Sequence, residues 1–74
     1  MKDQNLIITD PEIMGGTPVF KGTRVPVKYL LDWLGGGYTL EEFLDNYPSV
    51  SREHADAVIK LAHDWLVSQA VPAA

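Results

Sequence analysis

The basic residues are the first that could do chemistry, because arginine and lysine recognise phosphate and carboxylate groups. Lys21, Arg24 and Lys28 form the one basic cluster of the sequence. Arg24 precedes a short apolar run, where its planar guanidinium could reach a phosphate or a partner's carboxylate. The alternative is an ion pair within the chain that clamps two segments together. The acids that could form it are Asp10, Glu12 and Asp32.

Two further candidates for nucleic-acid contacts fall in the first turn of a predicted third helix. That helix would be the recognition helix of a helix-turn-helix protein. Arg52 could reach guanine, and His54 could reach a phosphate or a base edge. The same helix also carries Glu53, Asp56 and Asp64, and carboxylates repel phosphate. A solvated helix face, with acids placed favourably near its N-terminus, is therefore the competing interpretation.

No set of residues predicts catalysis, a metal site or a cofactor. His54 and His63 are too far apart to share one helical turn, and the chain has no cysteine to accompany them. Ser49 and Ser51 fall at a turn and at a helix cap, where serine serves a structural purpose. The glycines of the N-terminal third lack the Gly-Lys-Ser/Thr sequence of a phosphate loop, so turn formation explains them better. We therefore expect no enzyme and no cofactor.

Aromatic residues are numerous for a chain of 74 residues, with two tryptophans and three tyrosines. Trp33 falls about a quarter turn away from the leucine stripe of its predicted helix, which favours partial exposure. Exposed aromatic side chains at the edge of a thin core often mark a subunit interface. Tyr29 and Trp33 are therefore candidates for a dimer or partner contact, and ordinary core packing is the alternative.

The secondary structure predicted to position these residues changes from extended to helical at about residue 26. Over residues 6–26, prolines and glycines are frequent and helical periodicity is absent, which predicts a β arm with turns. The β-branched run at 6–9 predicts a short strand. Two more extended pieces, at 18–20 and 23–25, would be joined by a two-residue hairpin loop of Lys21 and Gly22.

Helical spacing of apolar residues begins at Val27, and three helices are predicted over residues 27–68. Pro26 suits the first helical turn, and the glycine triplet that follows Leu34 suits the end of that helix. In the third helix the apolar spacing continues as far as Trp65 and Leu66, which predicts one inner face along three turns.

Caps and breakers set the limits of the second and third helices. Thr39 and Glu42 have the spacing of a capping box, and Pro48 ends the second helix. Ser51 is placed to cap the third. The tail at 69–74 is small and neutral and is expected to fray. The whole chain, 1–74, is therefore predicted to be a single domain.

The link around Pro48 has the length of a helix-turn-helix connection. It favours a mainly α, homeodomain-like three-helix domain with a short N-terminal β arm. Any three-helix mini-domain has links of this length, so the spacing alone leaves DNA binding open.

Composition further narrows the classes of protein to which the chain could belong. The chain is 46% hydrophobic and 22% charged, which argues against disorder. Its net charge of −4 disfavours sequence-blind nucleic-acid binding. Because there is no cysteine and no long apolar run near the N-terminus, we expect a cytoplasmic protein without a membrane partner. So small a chain often completes its core by oligomerising, and a homodimer is expected.

Several motifs follow one another in a fixed order. They are Gly-Gly-Thr-Pro-Val-Phe at 15–20, Gly-Thr-Arg-Val-Pro-Val at 22–27, Gly-Tyr-Thr-Leu-Glu-Glu-Phe-Leu at 37–44 and Tyr-Pro at 47–48. In this order, over about residues 7–66, the chain resembles the small prokaryotic family catalogued as domain of unknown function 433. The resemblance implies a homeodomain-like trihelical fold with a short β arm.

The resemblance also implies a role as the antitoxin half of a toxin–antitoxin pair of the VapBC kind, whose toxin is a PIN-like ribonuclease. Such antitoxins bind and silence the nuclease, and many also bind their own promoter. We therefore expect an antitoxin-like protein that binds a PIN-like nuclease and, in a second role, operator DNA. The residues expected to contact DNA are Lys21, Arg24, Lys28, Arg52 and His54. The alternative is an acidic, dimeric protein-interaction module that does not bind DNA.

Overall fold

The structure is a computed structural model and describes residues 6–73. In chain order the elements are strand β1 (Ile7–Ile8), a 3-10 turn (Met14–Gly16), strand β2 (Val19–Phe20), and helices α1 (Val27–Gly35), α2 (Leu40–Asn46) and α3 (Arg52–Ser68). The expected mainly helical architecture, with three helices and a short two-stranded antiparallel sheet, is confirmed. None of the described helices is long and apolar enough to cross a lipid bilayer.

The arm folds back on itself around β2. Strands β1 and β2 pair with Ile7 opposite Phe20 and Ile8 opposite Val19. The other side of β2 meets the segment before α1, where the Phe20 N–H donates to the Val25 carbonyl at 3.0 Å. The Thr23 N–H donates to the Phe20 carbonyl at 3.0 Å and closes the turn that the sequence predicts at Lys21 and Gly22. The arm therefore ends next to β2, directly at the start of α1.

Helix α1 ends in a Schellman motif, in which two orphan carbonyls of the last turn find donors. The Tyr38 N–H donates to the Trp33 carbonyl at 3.0 Å, and the Gly37 N–H donates to the Leu34 carbonyl at 3.1 Å. Gly37 has a φ of 91°, a conformation that side chains with a Cβ resist. The rings of Trp33 and Tyr38 pack with centroids 4.8 Å apart, which adds the apolar contact typical of this motif.

Replacing Gly37 by alanine is expected to lower the free energy of unfolding by about 1–2 kcal/mol, because the left-handed conformation costs an L-residue that much. Gly35 is the matched control, since it lies within α1 at an ordinary φ with open space around its Cα. Gly35→Ala should raise stability by up to about 1 kcal/mol. Urea unfolding of the two variants at one protein concentration measures both. Equal changes in the free energy of unfolding for the two variants would contradict the Schellman motif at Gly37.

The caps of α2 and α3 lie where the sequence places them. The Thr39 hydroxyl accepts from the Glu42 N–H at 3.1 Å, and the Glu42 carboxylate accepts from the Thr39 N–H at 3.1 Å. This is a reciprocal capping box. The Ser51 hydroxyl accepts from the His54 N–H at 3.0 Å. These caps fix where α3 begins, and so fix the positions of the side chains in its first turn.

The core lies where the arm, α1, α2 and the first half of α3 meet. Its buried members are Leu6, Phe20, Leu30, Phe43, Val50, Ala55 and Val58. Phe43 lies at the centre of an aromatic group, with ring centroids 4.9 Å from Tyr47, 6.2 Å from Phe20 and 6.4 Å from Trp33. One side chain of α2 thereby joins β2 to α1.

The second half of α3 extends beyond this core. The apolar spacing predicts an inner face that reaches Trp65 and Leu66, and that expectation is wrong for the last two turns. Trp65 is 60% exposed and Leu66 is 63% exposed. The reason is length: a helix of 17 residues is about 25 Å long, whereas α2 has only 7 residues. No element of the described chain covers the end of α3 on all its sides.

Candidate functional site

The basic cluster lies on the solvent side of the arm and of α1, and Lys21, Arg24 and Lys28 are all exposed. The Lys28 ammonium donates to Asp32 at 2.9 Å, and this hydrogen bond raises the pKa of Lys28. Asp32 is thus engaged within α1. Within residues 6–73, Arg24 forms no ion pair, so the clamp to Asp10, Glu12 or Asp32 that competes with a binding role is absent from the structure.

Arg52 lies at the start of α3 and makes an ion pair with α2. Its guanidinium donates to the Glu41 carboxylate at 2.6 Å, and both side chains are more than half exposed. The hydrogen bond from Arg52 lowers the pKa of the Glu41 carboxyl. The arginine expected to read guanine is therefore already paired with a carboxylate.

Arg52→Gln is expected to raise the pKa of the Glu41 carboxyl toward its ordinary value of 4.5, because the hydrogen bond that mainly lowers it is removed. A carboxyl with a lowered folded-state pKa stabilises the fold above the unfolded pKa and loses that contribution as pH falls through the folded value. The free energy of unfolding of the variant should therefore depend slightly less on pH in acid than that of the parent. At pH 7 it should change little, because the pair is exposed.

The measurement is an NMR titration of the Glu41 side-chain carboxyl in the parent and in the variant. Lys60→Gln is the control, since it removes an exposed base that pairs with Asp64 at 3.0 Å and not with Glu41. An unchanged Glu41 pKa in Arg52→Gln would contradict the ion pair.

His54 is half-buried and connects α3 to the arm. Its Nε2 lies 2.8 Å from the Leu6 carbonyl oxygen, which can only accept, so Nε2 carries the proton that is donated. The imidazole also meets the Phe20 ring edge-on, with centroids 5.2 Å apart. A base contact through Nε2 of His54 would require this hydrogen bond to break.

Carboxylates are numerous on α2 and on the first half of α3. Arg52 is the one arginine or lysine on α2 and the first turn of α3, and Glu41 neutralises it. The exposed acids of α2 and the first half of α3 are Glu41, Glu42, Asp45, Glu53 and Asp56. We call these five residues the acidic face. A phosphate backbone that approached α3 in the helix-turn-helix manner would meet this negative surface.

Tyr29 and Trp33, the candidates for a dimer or partner contact, are half-buried in the aromatic group. Trp33 packs against Tyr38 at 4.8 Å and Tyr47 at 6.0 Å between ring centroids, and Tyr29 lies 6.0 Å from Tyr47. Packing within the chain therefore occupies much of the aromatic surface that the sequence offers to a partner.

An apolar groove lies between α1 and the second half of α3, on the side of α3 away from Lys60 and Asp64. Its volume is about 330 Å³. It is lined by Ile7, Val27, Leu31, Val58, Leu61, Ala62 and Trp65. Sequence reasoning missed this surface, because Leu31 and Trp65 occupy core-face positions in their helices. The signal that could have found it is the length of α3 compared with that of α2.

The described residues contain no cluster of three or more histidine or acidic side chains that could hold a metal ion. No buried side-chain nitrogen or oxygen among them lacks a hydrogen-bond partner. The surfaces of residues 6–73 that we consider for function are the acidic face, the turn after β2 with Lys21 and Arg24, and the apolar groove.

Comparison with known proteins adds three findings. The profile of a family described as "Protein of unknown function (DUF433)" matches residues 7–62. The uncharacterized protein y4eO of Sinorhizobium fredii is 38% identical over 50 residues, which are 68% of this chain and 23% of that protein. The chain therefore corresponds to less than a quarter of that relative's length.

The fold is similar to the crystal structure of a DUF433 member protein from Anabaena variabilis. The TM-score is 0.68 at 31% sequence identity, over 82% of this chain and 60% of that chain. This chain thus accounts for about three fifths of the solved protein.

Proposed function

We propose that this chain, which belongs to the DUF433 family, is an acidic protein-binding module of the antitoxin (VapB) type, which binds a PIN-like nuclease and blocks it. The observation that carries the proposal is the ion pair of Arg52 with Glu41 at 2.6 Å. It neutralises the one arginine or lysine on α2 and the first turn of α3, where a helix-turn-helix protein would contact DNA.

Charge favours a protein partner over DNA. A nuclease that binds RNA needs a basic surface for the phosphate backbone. The acidic face, together with a net charge of −4, is complementary to such a surface. Complementary charge accelerates association and suppresses binding to other acidic macromolecules, nucleic acids included.

In this mechanism the acidic face occupies the surface along which the nuclease holds RNA. The homeodomain-like helix-turn-helix arrangement belongs to the proposal, and it is supported by the short connection from Tyr47 to Ser51 between α2 and α3. The three-helix scaffold then presents carboxylates where DNA-binding relatives of that architecture present bases. The absence of cysteine suits the reducing cytoplasm in which such a pair would act.

The test is co-purification of the tagged chain from its native host at low salt, followed by an RNA-cleavage assay on any nuclease recovered. We expect a PIN-like nuclease at about one copy per chain, inactive in the complex and active once the chain is removed. Binding should weaken as salt rises, because charge attraction is screened. Failure to recover a nuclease, or recovery of one that cleaves RNA at full rate in the complex, would contradict the proposal.

Operator binding is the second candidate, and it is favoured by Lys21 and Arg24. Both are exposed on the turn after β2, and neither forms an ion pair within residues 6–73. A gel shift on the upstream DNA at low salt tests it, since weak electrostatic binding is strongest there. If Arg24→Ala and Arg52→Ala shift the DNA as the parent does, those residues are not the contacts.

A further inference from the structure

We propose that a second copy of this chain covers the apolar groove, with the last two turns of α3 of each copy packed into the groove of the other. This goes beyond the nuclease-binding role, because it concerns the opposite side of α3 from the acidic face. It also moves the expected dimer contact away from Tyr29 and Trp33. The new contact centres on Leu31 of α1 and Trp65 of α3.

The first support is the composition of the end of α3. Trp65, Leu66 and Val67 are 60%, 63% and 61% exposed. Successive helical residues differ in direction by about 100°, so these three point to different sides of the helix. The same two turns also carry the exposed polar residues His63 and Asp64, so the apolar surface does not encircle the helix. Exposed apolar side chains that lie together next to a groove mark an interaction site. Within one copy the groove wall leaves more than half of Trp65 exposed, and a second copy would cover it.

The second support is shape. A two-fold dimer uses the same patch on both subunits, so that patch must be complementary to itself. Here a concave groove and a projecting helix end are neighbours, and Trp65 belongs to both. Rotation about a two-fold axis near Trp65 places the helix end of each copy in the groove of the other.

The third support is the balance of charge and area. All seven residues that line the groove are apolar, so the dimer buries no unpaired charge there. Leu31, Trp65 and Leu66 expose on the order of 100 Å² each, or about 300 Å² of apolar surface per copy, before the groove walls are added. A standard interface takes about 800 Å² from each partner, about 60% of it apolar. These three side chains therefore supply more than half of the apolar area of a standard interface, and the groove walls add to it.

The test is sedimentation equilibrium of the purified chain alone, so its outcome does not depend on any nuclease. We expect twice the chain mass of 8.2 kDa for the parent. Trp65→Lys and Leu31→Lys should each raise the dimer Kd at least about 30-fold, as loss of a central apolar anchor does. Met14→Lys is the matched control, since Met14 is 50% exposed and lies outside the groove. It should remain dimeric.

Far-UV circular dichroism checks that the lysine variants fold, and a melting temperature that rises with parent concentration gives a second readout. A parent that is monomeric at about 100 µM, well above a micromolar Kd, would overturn the proposal. So would lysine variants that dimerise as tightly as the parent. A parent dimer that Met14→Lys disrupts and Trp65→Lys leaves intact would also overturn it.

Discussion

Phe43→Ala is expected to remove about half of the free energy of unfolding of this chain. The side chain is completely buried and contacts the rings of Phe20, Trp33 and Tyr47. Truncation of a buried phenylalanine costs about 3–5 kcal/mol, because transfer free energy is lost and a cavity remains. A domain of this length has a free energy of unfolding of about 4–11 kcal/mol. We therefore expect the melting temperature to fall by roughly 20 °C.

The control is Tyr38→Ala, which removes a ring from the same aromatic group. Tyr38 is 52% exposed, so its truncation creates no closed cavity and should cost well under half as much. Thermal unfolding followed by circular dichroism, at one protein concentration, measures both variants. Similar losses in the two variants would show that Phe43 is not the centre of the core.

Charge reversal on the acidic face is expected to have the largest effect on partner binding. The double variant Glu53→Lys and Asp56→Lys changes two exposed carboxylates near the start of α3 into ammonium groups. Each turns attraction for a basic nuclease surface into repulsion, and the Kd should rise by about 100-fold or more. The loss should appear chiefly as a slower association rate at low salt.

A matched control distinguishes the effect of where the charges are reversed from the effect of the change in net charge. Glu12→Lys with Asp64→Lys makes the same change, so both double variants carry a net charge of 0 in place of −4. Glu12 lies in the turn after β1, and Asp64 lies in the second half of α3. We expect at most a few-fold change in Kd for this control. Calorimetry on the purified nuclease compares the two, and equal losses would show that no particular face is recognised.

The local signals of the sequence predict the helices well, because each is closed by residues that act on their own neighbours. The capping box of Thr39 and Glu42, the Ser51 cap and the glycine at 37 all satisfy backbone groups within a few residues. Such contacts do not depend on the rest of the fold. The turn at Lys21 and Gly22 is predictable for the same reason.

Long-range features were not predictable in the same way. The helical spacing predicts that Leu31 and Trp65 lie on the inner faces of their helices, as Leu30 and Ala55 do. It does not show whether another part of the chain packs against that face. Leu30 and Ala55 are fully buried because the arm and α2 reach them. The hydrogen bond of His54 with Leu6 joins residues 48 positions apart, and no local pattern indicates it. The ion pair of Arg52 with Glu41 joins two helices, and no local pattern in the sequence indicates it either.

A titration of the purified chain into an RNA-cleavage reaction of the nuclease that co-purifies with it tests directly whether the chain blocks that nuclease. We expect cleavage to fall in proportion to added chain and to stop at about one chain per nuclease. The Glu53→Lys and Asp56→Lys double variant should need a large excess to do the same. Cleavage that continues at full rate in excess chain, while the chain shifts its upstream DNA at moderate salt, would contradict a protein-directed role and favour operator binding.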